Sequence, residues 1–339
     1  MGEASGGGGA GREARAAGHA GLVRELVAAG VLADPAWRAA FEEVPRHLFV
    51  PAFYEGRGAG YERVWGEDPD PAGRARWLRG VHTDTALATR IRDGELISSA
   101  SQPSLMARML TALDVRDGDR VLEIGAGTGY NAALLCHRLG DALVTTVDLD
   151  PEITESARTH LELLGYRPEV VTGDGARGCP ARAPFDRILA TCSLPSVPSA
   201  WPAQCAPGAR ILAPLATGLI RLEVAADGSA EGRFLPTAAY FVPLRGAAGA
   251  LLPAPHRPGA GAPHDVLEND RFRFVLELTG GGLGVREALD LWRHEDRPGR
   301  ERFGVTVGAE GQWCWLDDPR GPYVWPLGPR RAPGPPGAG

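Results

Sequence analysis

Glu123-Ile-Gly-Ala-Gly-Thr-Gly129 places one acid and three glycines directly after a short apolar run, Arg120–Ile124. A glycine-rich turn leaving a strand lets the main chain approach a ligand where any Cβ would collide. Two phosphate-binding readings fail. A P-loop needs a closing Gly-Lys-Ser/Thr, and here Tyr130-Asn131 follows Gly129. The dinucleotide fingerprint needs a glycine or alanine where Tyr130 stands. What remains suits a ligand without a pyrophosphate. Gly125, Ala126, Gly127 and Thr128 line its close approach, and Glu123 can meet an amino group by a charge-assisted bond. Asp148, with Leu149 beside it, closes the next strand 23 positions beyond Gly125, where a carboxylate can take both hydroxyls of a ribose. Asp174-Gly175 closes the third strand and suits an adenine edge. Three acids at three successive strand ends point to S-adenosyl-L-methionine as cofactor.

These residues need a scaffold that brings strand ends to one edge. Arg120–Ile124, Leu143–Val147, Glu169–Thr172, Arg187–Thr191 and Arg210–Pro214 read as buried strands. Helices over 103–113, over Tyr130–Leu139 and after Asp150-Pro151 alternate with the first of them. Strand–helix alternation predicts a doubly wound, Rossmann-like α/β sheet whose ligand edge is the carboxyl ends of its strands. Ahead of it, Leu22, Val23, Leu26, Val27 and Val31 predict one helix, and Asp34-Pro35 opens a second through Trp37 and Phe41. Residues 52–96 read as irregular and too long for a plain connection, hence a substrate loop or lid. Beyond Ile220 the period changes to two, with Asp227-Gly228 as a hairpin turn. Phe272–Leu278, Arg302–Val307 and Gln312–Leu316 read as strands of a small α+β appendage, with a helix near Val285–Trp292. The expected division is a disordered tail over 1–17, helices and loop over 18–98, the cofactor domain over 99–245, a linker over 246–264, the appendage over 265–329 and a tail over 330–339.

The bulk properties narrow the class. A net charge of -6 with pI about 5.8 lacks the basic face of a nucleic-acid binder. No apolar run reaches membrane-spanning length, and the N-terminus lacks a signal-peptide core. The five cysteines, at 136, 179, 192, 205 and 314, lack CxxC spacing. That argues against a zinc site or disulfide framework and for a cytoplasmic protein with reduced thiols and no metal.

Residues from about 20 to 245 resemble the protein-L-isoaspartate O-methyltransferase family. The likeness rests on Phe41-Glu-Glu-Val-Pro-Arg-His-Leu-Phe-Val-Pro51, Ser99-Ala-Ser-Gln-Pro103, Val121–Tyr130, Gly173-Asp-Gly175, Pro184-Phe-Asp-Arg187 and Phe241-Val-Pro-Leu244. The resemblance implies that Ser99–Gln102 lies between cofactor and substrate carboxylate, with Ser101 as the active-site residue, Ser99 beside it and Gln102 against the cofactor. Hydroxyls fit this task, since they orient a carboxylate without quenching its charge, and a carboxylate is already ionised at pH 7.

Two departures separate the chain from the repair enzyme: the long segment between Pro51 and Ser99, and the C-terminal hundred residues. Both, with Ser101–Leu110, resemble methyltransferases of ATP-grasp peptide-maturation (graspetide) systems. That likeness implies methylation of an aspartate in a cyclised ribosomal peptide, leading to aspartimide. The alternative is repair of isoaspartyl protein, with any protein or peptide bearing the aspartyl or isoaspartyl carboxylate as partner. A cofactor-binding escort without turnover is the reading from another class. His47, His82, Asp84 and Cys192-Ser193 read as packing, loop or pocket-lining residues rather than catalytic ones.

Overall fold

A computed structural model describes residues 6–58, 60–246, 261–280 and 282–327. They form two compact units on either side of the Gly173–Asp174 bond.

The first unit opens with α1 (Gly6–Ala28) and α2 (Pro35–Glu43). Helix α1 starts well inside the stretch expected to be a disordered tail. Arg12-Glu-Ala-Arg-Ala-Ala17 consists of strong helix formers, which outweigh the glycines before it. The Asp34 carboxylate caps α2, accepting from the Ala36 and Trp37 amides at 2.8 and 3.1 Å.

The segment expected to be an irregular loop is folded. Strands β1 (Ala52–Arg57), β2 (Gly60–Trp65), β3 (Leu87–Arg92) and β4 (Glu95–Ala100) form an antiparallel sheet in the order β2-β1-β3-β4, with α3 (Pro71–Val81) between the hairpins. Each strand contributes few buried apolar side chains, Phe53 and Val64 in the first hairpin and Leu87 and Ala100 in the second, packed with Trp77 and Val81 of α3. The outward positions carry Arg and Glu, among them Glu62, paired with Arg76 at 2.9 Å. So thin an apolar alternation reads as loop when viewed along the sequence.

Next come α4 (Pro103–Leu113), β5 (Val121–Ile124), α5 (Tyr130–Leu139), β6 (Val144–Asp148), α6 (Pro151–Glu162) and β7 (Glu169–Thr172). Strands β5 and β6 pair in parallel, with Val121 opposite Val144, and β6 pairs with β7, with Asp148 opposite Thr172. The carboxyl ends of β5 and β6 therefore lie together, as the strand–helix alternation requires. Asp150 caps α6 ahead of Pro151.

In the second unit β8 (Phe185–Ala190) runs parallel to β9 (Cys205–Leu215). Strands β10 (Gly218–Val224) and β11 (Ala230–Ala238) then fold back antiparallel through Asp227-Gly228, where Gly228 has φ +80°. The run expected to be a strand over Phe272–Leu278 is instead helix α8 (Asp270–Thr279), which follows the short α7 (His264–Leu267). Its Phe-Arg-Phe start imitates a two-residue period. The side chains actually buried include Phe272, Val275, Leu276 and Thr279, a helical stripe, and Asn269 caps the Arg271 and Phe272 amides.

Helix α9 (Val285–His294) precedes β12 (Phe303–Gly308), β13 (Gly311–Leu316) and β14 (Val324–Pro326). Strand β12 pairs with β11, Ala230 opposite Val307, so the C-terminal strands widen the β9–β11 sheet instead of standing apart from it. Of the stretch read as a linker, residues 247–260 lie outside the described residues, as do 328–339 at the C-terminus. Among the described residues no helix is long and apolar enough to cross a membrane.

Candidate active site

The turn after β5 supplies the frame. Gly125, Gly127 and Gly129 have φ of +99°, +51° and +84°, a backbone that L side chains rarely adopt. The Gly125 and Ala126 amides both donate to the Val147 carbonyl, at 2.8 and 3.2 Å, which ties the turn to the end of β6. Among the described residues a Cβ on Gly127 would meet no atom closer than 3.8 Å, so its φ, rather than crowding, demands glycine. The nearest atoms to that point are the Ser99 carbonyl oxygen at 3.8 Å and Ser98 Oγ at 3.9 Å. Strand β4 thus delivers the Ser99–Gln102 segment to the glycine turn, joining the two groups singled out separately in the sequence.

Asp148 closes β6 beside this turn. Its carboxylate accepts from the Gly127 amide at 3.3 Å and from the Asp150 amide at 3.3 Å. Leu149 next to it is 38% exposed, an apolar side chain held open at the strand end. Ala126 is buried, and the Thr128 carbonyl bonds to His160 Nδ1 at 2.9 Å.

Glu123 is placed differently from a surface-facing acid. It is wholly buried, with Oε1 accepting from Asn131 Nδ2 and Oε2 from Thr146 Oγ1, each at 2.6 Å. Burial raises its carboxyl to about 7, against the lowering effect of those two donors, and the Asp148 charge adds to the rise. Asn131 and Thr146 were not singled out in the sequence. The available signal was a polar pair, Thr145-Thr146, inside a strand otherwise read as buried.

Asp174 and Gly175 belong to the second unit. Asp174 caps the turn Gly175–Arg177, accepting from the Ala176 amide at 3.0 Å. Gly175 is fixed by Trp201, whose indole N–H donates to its carbonyl at 2.9 Å. In the same unit Ser193 pairs with the Phe241–Leu244 motif: its amide donates to the Val242 carbonyl, and its carbonyl accepts from the Leu244 amide, both at 2.9 Å. Cys192 beside it is buried.

Ser101 and Ser99 are half-buried. Their hydroxyls bond to no other described residue, whereas the main chain around Ser101 is held firmly. Arg46, fully buried, donates to the carbonyls of Ala100 and Ser101 at 3.3 and 3.2 Å. Asp84 accepts from Gln102 Nε2 at 3.2 Å and from the Ser104 amide at 2.8 Å. Arg46 was legible only as one letter of a family motif, and Asp84 only as a loop acid.

Comparison with known proteins bears on this arrangement. The sequence profile described as Protein-L-isoaspartate(D-aspartate) O-methyltransferase matches residues 75–248. A protein from Aeropyrum pernix named Protein-L-isoaspartate O-methyltransferase is 35% identical over 231 residues, covering 66% of this chain and 78% of its own length. A solved structure titled protein-L-isoaspartate O-methyltransferase matches with TM-score 0.62 at 23% identity, over 88% of this chain and all of that one. A second, from Plasmodium falciparum, described as a putative enzyme of that name in complex with S-adenosyl-L-homocysteine, matches with TM-score 0.50 at 14% identity, over 67% of this chain and 98% of that one. The fold is therefore the Rossmann-like class I methyltransferase fold with N-terminal helices.

These findings overturn the expected assignment to ATP-grasp peptide maturation. Relatives 33–39% identical to this chain carry the isoaspartate methyltransferase name, and nothing ties the chain to a graspetide system. The C-terminal region does not set the chain apart from isoaspartate methyltransferases either. A solved fold that matches 88% of this chain must reach past residue 246, so part of that region has a counterpart in that fold.

Proposed function

Because the chain belongs to the protein-L-isoaspartate(D-aspartate) O-methyltransferase family, we propose that it uses S-adenosyl-L-methionine to methylate the free α-carboxylate of isoaspartyl residues in damaged proteins and peptides. The observation that carries this reading is the approach of Ser98–Ser99 to the open side of Gly127. It sets the segment suited to hold a carboxylate against the turn suited to hold a methyl donor.

The residues present fit that donor. Gly127 leaves a cradle that a Cβ would fill, Asp148 offers a partly exposed carboxylate at the strand end for the ribose hydroxyls, and Leu149 offers an apolar surface. Asp174 and Gly175 are assigned to the adenine. Glu123, held at the end of β5 by Asn131 and Thr146, is assigned to favour the cationic amino group of the cofactor. S-adenosyl-L-methionine, when bound, supplies a methyl group on a positively charged sulfur.

The chain's own task is orientation. The acceptor carboxylate is ionised at neutral pH and needs no general base. The Ser99 and Ser101 hydroxyls would donate hydrogen bonds to one carboxylate oxygen and leave the other free to attack. Neutral donors keep the acceptor nucleophilic, where a lysine or arginine would blunt it. Ser99 and Ser101 would thereby hold the acceptor oxygen toward the methyl group that bound S-adenosyl-L-methionine supplies. The ester then leaves the site as a better electrophile. The next residue's amide nitrogen attacks it, methanol departs with the amide proton, and a succinimide closes without any enzyme group. Hydrolysis of the ring returns part of the material to ordinary aspartate.

Labelled methyl transfer to an isoaspartyl peptide, set against the same peptide with normal aspartate, tests the reading. Strong preference for the isoaspartyl form is expected. Equal labelling of both would refute it.

A further inference from the structure

Arg46 is a buried cation whose five acceptors are all main-chain carbonyls. One terminal nitrogen reaches Val81 and Thr83, at 3.3 and 3.0 Å, and the other reaches Thr85, Ala100 and Ser101, at 2.8, 3.3 and 3.2 Å. Its Nε is buried with no partner among the described residues. A protein does not bury a guanidinium at such cost to join carbonyls that could pair elsewhere, unless their position matters.

The same loop, Thr83-Asp84-Thr85, also acts in the other direction. Asp84 accepts from the Ser104 amide and the Gln102 side chain. Gln102 is the N-cap of α4 but makes no side-chain cap bond, so Asp84 caps this helix from outside it. The stretch Ala100–Ser104 is therefore held by its carbonyls from Arg46 and by its amide and side chain from Asp84. Ser101 lies between the two grips, its hydroxyl bonded to no other described residue.

We propose that Arg46 and Asp84 are positioning residues that together fix the main chain of Ser101, so that its hydroxyl meets the acceptor carboxylate in one orientation. This rests on the role given to Ser101 above. Neither residue touches substrate. Lysine cannot replace Arg46, because one ammonium cannot reach both carbonyl groups at once, as the planar fork does.

The variants Arg46→Lys, Asp84→Asn and the double variant test the clamp, measured in the full chain on an isoaspartyl peptide. Each single variant should lower kcat at least tenfold. The affinity for S-adenosylhomocysteine should stay within about twofold, and the double variant should lose little more than either single. If Arg46→Lys does not fold, Asp84→Asn carries the same comparison. Folded variants with wild-type kcat and only a lower Tm would overturn the proposal, as would a parallel loss of kcat and cofactor affinity. Hydrogen exchange at residues 101–106 gives a readout independent of turnover, and both variants should exchange faster there. Unchanged exchange contradicts the clamp even if wild-type protein methylates nothing, whereas faster exchange in a chain without methyl transfer would count against the functional reading alone.

Discussion

The Gly127 amide donates to the Asp148 carboxylate across 3.3 Å, so the turn after β5 and the end of β6 are held in one geometry by a group also assigned to the cofactor ribose. Asp148→Asn keeps the size of the side chain but removes the charge from that bond and from any ribose contact. Charge-assisted bonds contribute about 1.5–3 kcal/mol, so S-adenosylhomocysteine binding by calorimetry should weaken at least about tenfold, with little change in Tm.

Gly127→Ala separates conformation from crowding. No described atom obstructs the new methyl, but φ is +51°, and holding alanine there costs about 1–2 kcal/mol. A lower Tm, with cofactor affinity falling further than Tm alone explains, is the expected pattern. An alanine variant that bound S-adenosylhomocysteine normally would show that nothing approaches this turn.

Glu123 gives the protein a pH dependence of known sign. Burial raises its folded carboxyl to about 7, above the ordinary 4.5 of the unfolded chain. Between these values the folded state keeps a proton that the unfolded state has lost. The contribution is thus fully present below about 4.5 and is lost as pH rises through about 7. Relative to Glu123→Gln, wild-type stability in urea should fall across that window. A flat difference would show that the carboxyl is not perturbed. Thr146→Val removes a donor to Oε2 that supports the charged form, so the folded carboxyl should rise further and the loss of stability should move to higher pH.

His47 and His82 act in the opposite direction. Their rings meet at 3.2 Å. Burial first, and then neighbouring positive groups, hold each at about 4, below the usual 6.5. Both stay neutral in the fold, so their contribution is present above about 6.5 and is lost as pH falls through about 4. In His47→Gln the acid limb of the stability profile should be shallower. An unchanged acid limb would place the acid sensitivity elsewhere.

The cofactor turn, its strands and the helices on either side were legible because each is a local pattern: apolar run, glycines, cap and amphipathic stripe. The four-stranded sheet over 52–100 was not, because its stability comes from pairing and from a shared apolar cluster around Phe53 and Trp77, with each strand burying little by itself. Helix α8 was misread because Phe272 and Phe274 alternate, while the burial of Val275 and Leu276 after them depends on tertiary packing. In the candidate site, strand-end acids could be placed from spacing. The partners of Glu123 and the grip of Arg46 could not, since they join residues up to 55 positions apart.

The pairing of β11 with β12 makes the C-terminal strands part of the fold of the second unit. Phe234 of β11 packs edge-on against Phe274 of α8, with ring centroids 4.9 Å apart. A chain ending at Gly246 should therefore expose this apolar surface and the β11 edge, and elute as aggregate on gel filtration. A monomeric, well-folded truncation would show the region to be dispensable.

Carboxyl methylation is read most directly from the methylated product. After incubation with methyl-labelled S-adenosylmethionine and an isoaspartyl peptide, the label should enter the peptide and leave as methanol under mild base, and Ser101→Ala should slow its entry at least tenfold. A label that survives base, or an isoaspartyl peptide left unlabelled by protein that binds the cofactor, would contradict it.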